Sequence, residues 1–397
     1  MLSARQTERA HRALDRFTIE LPSWGFANTG TRFGKFIQPT AATTTEEKLA
    51  DAGVVHRFTG CCPSVAVHVL WDFPNGLADV PDVVKSAETH GVRIGAINPN
   101  IFQDQCYKLG SLGNPDPDIR RRALAHILDS IAIQGATGSR DLSLWFADGL
   151  SYPGTGSIRA RKAWFGEELK AIHDALTADQ RMLVEYKPFE PAFYATDIAD
   201  WGMAYIHAKQ AGPRAKVLVD TGHHYQAQNI EQIVAWLLSE NMLGGFHFND
   251  RRYADDDLTL GCIDPYQVFR IFHEICFFAW ETGTQPDIPY MVDQSHNLKN
   301  KIEETLQTAA TAQEMFVKAA LVDHEKLALH QTRGDLVDAE ECLRLAFFTD
   351  VRPLLREWRR GKGLSEDPLA AFRESGYLQA AEKARAEKNR GALSSYA

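Results

Sequence analysis

The chain has 397 residues, 44% hydrophobic and 24% charged, the balance of a folded globular protein and too apolar for a disordered one. Its 43 basic residues are outnumbered by 52 acidic ones, giving a net charge of −9 that repels phosphate backbones and makes nucleic acid a poor partner. No apolar run approaches the ~20 residues of a membrane span, and the N-terminus lacks the basic-then-apolar order of a secretory signal. The six cysteines form no C-x-x-C pair and read as reduced, buried thiols, so a cytoplasmic protein without membrane contact is expected.

Along the chain, short runs rich in β-branched and aromatic residues alternate with longer amphipathic stretches. The runs are Phe17–Phe26, Val65–Trp71, Val92–Asn98, Leu142–Ala147, Met182–Tyr186, Lys216–Asp220, Gly244–Phe248 and Pro289–Asp293. Between them, helices are predicted over Thr44–Val55, Asp116–Gln134, Ala192–Gly212, Ile230–Glu240 and Pro265–Trp280. Eight βα units without hairpin signals predict an α/β fold, a (β/α)8 TIM barrel. Asn28-Thr29-Gly30 lacks the later glycines of a phosphate-binding fingerprint, which argues against a dinucleotide fold. Residues 1–300 are therefore assigned to a barrel domain with an N-terminal helix. Residues 301–397 are assigned to a C-terminal helical arm running through Leu306–His330 and Asp338–Arg360 to a charged tail, Ala380–Arg390, and its apolar stripe is expected to be buried between subunits.

The active face of such a barrel lies at the carboxyl ends of its strands. Glu185, Asp220, His247 and Asp293 fall there on four consecutive strands. Groups so placed repel one another unless a cation joins them, which makes the four a metal site. Three carboxylates and an imidazole suit Mn2+, Mg2+ or Co2+ better than thiolate-seeking ions. A second cluster adjoins the first. His223 lies just beyond Asp220, and the loop after the seventh strand carries Asp255, Asp256 and Asp257. Three aspartates in a row are ordinarily a solvated turn. Here, downstream of His247, they form a candidate ligand loop for a second cation, with Asp255 and Asp257 pointing one way if the segment is extended and Asp220 bridging both ions.

Lys187 follows Glu185 by two residues and is expected to face the same cavity, and His68 interrupts an otherwise apolar strand at the barrel mouth. Trp24, Phe33, Phe102 and Trp145, at or just past strand ends, are candidate walls for the apolar face of a sugar. His224 and His296 lie close to the site without a role, whereas His126, His207 and His273 fall in predicted helices.

The segments WGFANTGTRFGKF, VEYKPFEPAFYATDIADWGMAYIHAKQAG, VLVDTGHHYQAQNIEQIVAWL and GGFHFNDRRYADDDLTLGCIDPYQVFRIFHEI resemble the bacterial L-rhamnose isomerases of the shorter, xylose-isomerase-like branch, and the resemblance covers most of the chain. It implies a homotetrameric aldose–ketose isomerase, usually active with Mn2+, that tolerates several aldoses, allose among them. It further implies a structural cation on Glu185, Asp220, His247 and Asp293 and a catalytic cation on His223, Asp255 and Asp257. Lys187 would match the substrate-binding lysine and His68 the histidine at the ring oxygen. The sequence lacks the compact acidic run that follows this histidine in true xylose isomerases, which puts a His68–Asp72 dyad in doubt.

The expected chemistry is ring opening assisted by His68 as general acid–base, neutralisation of developing charge by Lys187, and Asp293 sharing a proton. With most carboxylates committed as ligands, hydride transfer between C2 and C1 is favoured over an enediol route. A neighbouring subunit is expected to complete the pocket through the loop bearing Phe33. The alternatives are a sugar epimerase on the same barrel, a non-catalytic sugar sensor, and a metal-dependent phosphodiesterase or nuclease, which would need a basic surface that a net charge of −9 does not offer.

Overall fold

The structure, a computed structural model, describes residues 2–28, 36–190, 192–295 and 298–390, so Phe33 and His296 lie outside the described residues. Eight parallel strands follow one another in chain order: β1 (Leu21–Pro22), β2 (Ser64–His68), β3 (Arg93–Asn98), β4 (Asp141–Leu144), β5 (Arg181–Glu185), β6 (Ala215–Asp220), β7 (Leu243–Phe248) and β8 (Tyr290–Val292). The sheet closes on itself where Glu20 N–H donates to the Tyr290 carbonyl and Val292 N–H to the Glu20 carbonyl. Helices cover the outer face of the sheet, as in a (β/α)8 barrel. No described helix is long and apolar enough to cross a membrane.

Several boundaries differ from the sequence expectation. The first strand shrinks from Phe17–Phe26 to two residues, because Pro22 has no N–H for the ladder and Ser23–Phe26 coils into a 3-10 turn. The second ends at His68, where the Asp72 carboxylate accepts the His68 backbone N–H (3.0 Å) and Val69–Asp72 turns helical. The helix expected from Ala192 starts only at Trp201, capped by Asp200, and Ala195–Thr196 instead pairs antiparallel with Gly149–Leu150, tying the loop after β5 to the loop after β4. Leu306–His330 divides into helices Lys301–Leu321 and His324–Arg333, the second capped by Asp323. Asp338–Arg360 divides into Leu336–Phe347 and Arg352–Gly361. Among the cysteines, Cys61 and Cys62 are buried, but Cys262 is exposed, contrary to the expectation that all are buried.

Alternate residues of each strand face the helices and the barrel interior. Val65, Val67, Leu142, Leu144, Met182, Val184, Val217 and Val219 join the core between sheet and helices. Ala66, Ala96, Leu183, Leu218 and Met291 fill the barrel with Trp24 above them. This packed interior plugs the barrel, so the inward residues one step nearer the carboxyl ends form the floor of a cavity. Helix 301–321 packs within the main core through Ile302, Leu306, Ala309 and Ala312, while Val317 and Leu321 join Leu354, Leu355 and Trp358 around Leu14 of the N-terminal helix Ala4–Arg16. Leu336, Val337, Leu345 and Phe348 remain exposed.

Candidate active site

β5 ends on Glu185 and β6 on Asp220, His247 is the penultimate residue of β7, and Asp293 directly follows β8. Asp220 lies beside His247 in register, whereas Glu185 lies beside Leu218 and His247 beside Met291, so Glu185 sits two residues short of Asp220 and Asp293 two residues past His247. His247 Nδ1 is 3.2 Å from Glu185 Oε1 and 3.9 Å from Asp220 Oδ2. His223, in the loop after β6, stands 3.2 Å from Glu185, 3.9 Å from Asp220 and 3.3 Å from Asp255. Ligand atoms of Glu185, Asp220 and His223 lie within 4.8 Å of one another, as do those of Asp220, His247 and Asp293. Asp220 belongs to both groups.

The acidic loop reaches the site by a different path from the extended one. Asp250 and Leu258 close it as a paired neck, and the Asp256 carboxylate accepts the N–H groups of Arg252 (2.6 Å) and Tyr253 (2.8 Å). Asp256 thus holds the turn together while Asp255 and Asp257 are buried beside it. Asp257 adopts a left-handed backbone (φ 50°), a conformation that costs a non-glycine residue and is commonly stored at functional sites. Gly222 permits the close approach of the two clusters, since a Cβ there would come within 2.7 Å of both Asn249 Oδ1 and Asp255 Oδ1.

Lys187 is buried, 2.7 Å from Asp255 Oδ2, with its ammonium 5.4 Å from the centre of the Trp145 ring. Its pKa is raised: burial pulls it down, but Asp255 outweighs burial. The same contest runs through the cluster. Burial alone would neutralise His223 and His247, yet Asp220 and Asp255 hold the first at about 9, and Glu185 holds the second at about 10. Burial pushes Asp220 up to about 7, opposed by His223 and reinforced by Glu185, Asp255 and Asp293. Asp257 and Asp293 are also raised, mainly by burial, whereas the imidazoles hold Glu185 and Asp255 low despite burial. Protons on the histidines thus balance carboxylates that cannot all be charged together.

This donor set fits divalent cations. Asp220 Oδ2 and His247 Nε2 are buried and make no hydrogen bond, an arrangement that is costly unless a ligand satisfies it. His223 Nδ1 donates to the Tyr186 carbonyl (2.9 Å), which leaves Nε2 directed at the carboxylates, the orientation typical of a ligating histidine. Carboxylates and imidazoles without a thiolate suit hard or borderline ions.

Across the cavity stands an aromatic wall from the first half of the barrel. The His68 ring lies 4.7 Å from Trp24, 4.1 Å from Trp71 and 5.7 Å from Phe102, and Phe102 lies 5.1 Å from Trp145. Trp24, His68, Phe102 and Trp145 therefore meet in one cavity with Glu185, Lys187, His223, His247, Asp255 and Asp293, with about 660 Å³ of space open to solvent at the barrel mouth. Trp24 joins the two halves, its Nε1 donating to Asp293 (2.9 Å). Burial depresses His68 to about 3, so the imidazole is neutral and a weak base. Asp72 offers it no dyad, because that carboxylate pairs with Lys48 (2.7 Å), Ser23 (2.6 Å) and the His68 backbone.

Trp71, Asn98 and Ser143 also line the cavity and were not singled out from sequence. Two-residue alternation could have found Ser143, which shares its strand face with Trp145, and Asn98 ends β3 as Glu185 ends β5. His224 does not line the cavity; it lies 2.6 Å from the Tyr186 hydroxyl, behind the site. His126 accepts the Asn100 N–H, and His207 and His273 are buried in helices.

Residues 64–307 match the family described as xylose isomerase-like TIM barrel. A probable sugar isomerase of Rhizobium meliloti is 38% identical over 366 residues, 91% of this chain and 84% of that protein. Among solved structures, a xylose isomerase domain protein from Alicyclobacillus acidocaldarius superposes with a TM-score of 0.55 at 13% identity, covering 77% of this chain and 99% of the other. D-Psicose 3-epimerase from Clostridium cellulolyticum does so with a TM-score of 0.52 at 14% identity, covering 77% and 99%. At such identities the two superpositions speak for the fold alone.

Proposed function

Because the chain belongs to the xylose isomerase-like TIM barrel family, we propose that it is a metal-dependent aldose–ketose isomerase that interconverts L-rhamnose and L-rhamnulose and tolerates other aldoses such as D-allose. The observation that carries this reading is the division of one cavity into a carboxylate–imidazole half and an aromatic half. Two divalent cations, Mn2+ foremost, would be held by Glu185, Asp220, His247 and Asp293 and by His223, Asp255 and Asp257. Bound there, they would supply Lewis-acid polarisation of a carbonyl and its neighbouring hydroxyl.

The residues themselves account for the rest. Lys187 places its ammonium where negative charge develops on the substrate oxygen, and a buried site strengthens that attraction. His68, neutral and framed by three rings, donates or accepts a hydrogen bond at the ring oxygen as the sugar opens. The rings of Trp71, Phe102 and Trp145 cover the apolar end of the chain, which suits the methyl group of a 6-deoxyhexose. The hydrogen on C2 moves with its electron pair to C1 while a proton passes from O2 to O1. Every carboxylate lining the cavity belongs to the ligand set and His68 is a weak base, which favours this hydride transfer over an enediol. The same fact disfavours an epimerase, which needs free acids on opposite faces of its substrate, since the wall facing the ligand cluster carries no carboxylate. The exposed Leu336, Val337, Leu345 and Phe348 suit burial in a homotetramer.

The test is turnover of the Mn2+-loaded protein against a panel of aldohexoses and 6-deoxyhexoses, reading ketose formation. L-Rhamnose is expected to be the best substrate, and no ketose from any of them would end the isomerase reading. With aldose deuterated at C2, the label is expected at C1 of the ketose; its loss to water in a single turnover would show that a protein base carries the proton.

A further inference from the structure

A second cleft, with about 810 Å³ of open space, shares Phe102 and Trp145 with the catalytic cavity and lies on the outer side of that wall. Each cavity is in the range that holds a small molecule. The outer cleft is shaped by the backbone. Gly110 has a positive φ (107°), and a Cβ there would lie 2.6 Å from Asp148 Oδ2, while the strand pair Gly149–Leu150 and Ala195–Thr196 closes the opposite side.

The charge of Asp148 is committed to the scaffold: its carboxylate accepts from Ser111 N and Oγ (both 2.7 Å) and Gly113 N (2.8 Å), with Arg161 3.9 Å away. Lys108, by contrast, is exposed and makes no ion pair among the described residues, and the exposed Ser151 also lines the cleft. The wall itself carries an unsatisfied donor, since Trp145 Nε1 is buried and has no hydrogen-bond partner. Aromatic edges with scattered neutral donors and a single cation are what a sugar ring with several hydroxyls requires, and too little positive charge for a phosphate.

We propose that this cleft is a second saccharide subsite, so that the enzyme isomerises the reducing unit of a disaccharide whose non-reducing unit rests beyond the Phe102–Trp145 wall. The inference rests on the isomerase reading. The reducing unit would take its place between the ligand cluster and His68. A glycosyl group on its far end would pass the rim of Trp145 and meet Lys108 and Ser151. Only the reducing unit reacts: hydrogen moves from C2 to C1, a proton from O2 to O1, and the glycosidic bond stays intact.

The experiment compares kcat/KM for the aldose that the Mn2+-loaded enzyme turns over best, L-rhamnose first, with the same aldose bearing a glucosyl unit on O4. The wild-type enzyme is expected to convert both. Lys108→Ala and Ser151→Trp, the second filling the cleft, should lower the value for the disaccharide by about tenfold, the scale of one or two lost hydrogen bonds, and leave the monosaccharide unchanged. An unchanged monosaccharide rate also reports that each variant is folded. Turnover of the monosaccharide with none of the disaccharide overturns the inference, as do variants that slow both sugars equally. Turnover of no sugar at all would instead remove the isomerase reading on which it rests.

Discussion

The two halves of the barrel mouth are built from the same repeating unit and end in opposite chemistry. Strands β5 to β8 close on the buried Glu185, Asp220 and His247 and the half-buried Asp293, which compete for protons, whereas the first four strands lead to Trp24, His68, Trp71, Phe102 and Trp145, where burial keeps the one titratable group, His68, neutral. The backbone of a closed barrel is indifferent to which residue ends a strand, so one half can hold cations and the other the apolar side of a substrate. The charged half should govern kcat and the aromatic half KM. The sharpest tests are substitutions that make the halves behave alike.

The largest effect is expected from Asp220→Asn, which removes the carboxylate common to both ligand groups. Turnover should fall by ~10³-fold or more, the scale of losing a preorganised electrostatic group. Without metal, this variant should be as stable as the wild type or more so, because burial already pushes Asp220 up to about 7 and an amide avoids ionising it. Melting curves with excess chelator check this, and a large loss of metal-free stability would refute the account of the cluster. Asp255→Asn with Asp257→Asn should abolish turnover while one cation still binds, measured by metal content per chain. Near-native turnover in the double variant would return the loop to a surface role.

Chelation should abolish activity and lower Tm in the wild type, since an ion at 100 times its Kd stabilises the folded state by about 2.7 kcal/mol. The metal-free protein should also respond to pH. His223 and His247 are held at about 9 and about 10, above their ordinary value, so their stabilising contribution is complete below pH ~6.5 and lost as pH rises through 9 to 10. Asp220, raised to about 7, adds a loss between pH ~4 and 7, where its proton is held by the folded state alone. Tm in chelator should therefore fall as pH is raised, and saturating Mn2+ should flatten the fall by displacing the protons. A pH-independent Tm in chelator would contradict these shifts.

The smallest effect should come from the aromatic half. Phe102→Ala is expected to raise KM about tenfold with little change in kcat, in keeping with ~1–3 kcal/mol of apolar contact. Trp24→Phe, which removes the hydrogen bond to Asp293, should instead lower kcat, because Trp24 spans the two halves. If both variants changed kcat alone, the division of labour would be wrong.

The alternation of apolar runs and amphipathic stretches was enough to read eight βα units, and the polar residues ending Met182–Tyr186, Lys216–Asp220, Gly244–Phe248 and Pro289–Asp293 were enough to anticipate that Glu185, Asp220, His247 and Asp293 gather at the barrel mouth. Both signals are local, since a parallel strand buried on both faces must be apolar until it reaches the mouth. What the tertiary structure decided depends on contacts across the barrel. Asp256 gathers backbone N–H groups and thereby turns Asp255 and Asp257 inward without an extended segment. Asp72 is drawn to Lys48 and Ser23 and leaves His68 without an acid partner. Ser143 and Asn98 reach the cavity only because the closed sheet aims their strand faces at it. Pairing between the loops after β4 and β5 shapes the outer cleft, through residues that no sequence periodicity connects. Strand and helix periods are set by neighbours a few residues apart. The direction of a buried side chain at the barrel mouth is set by whichever distant group satisfies its charge or hydrogen bond, and that is fixed only when the barrel closes.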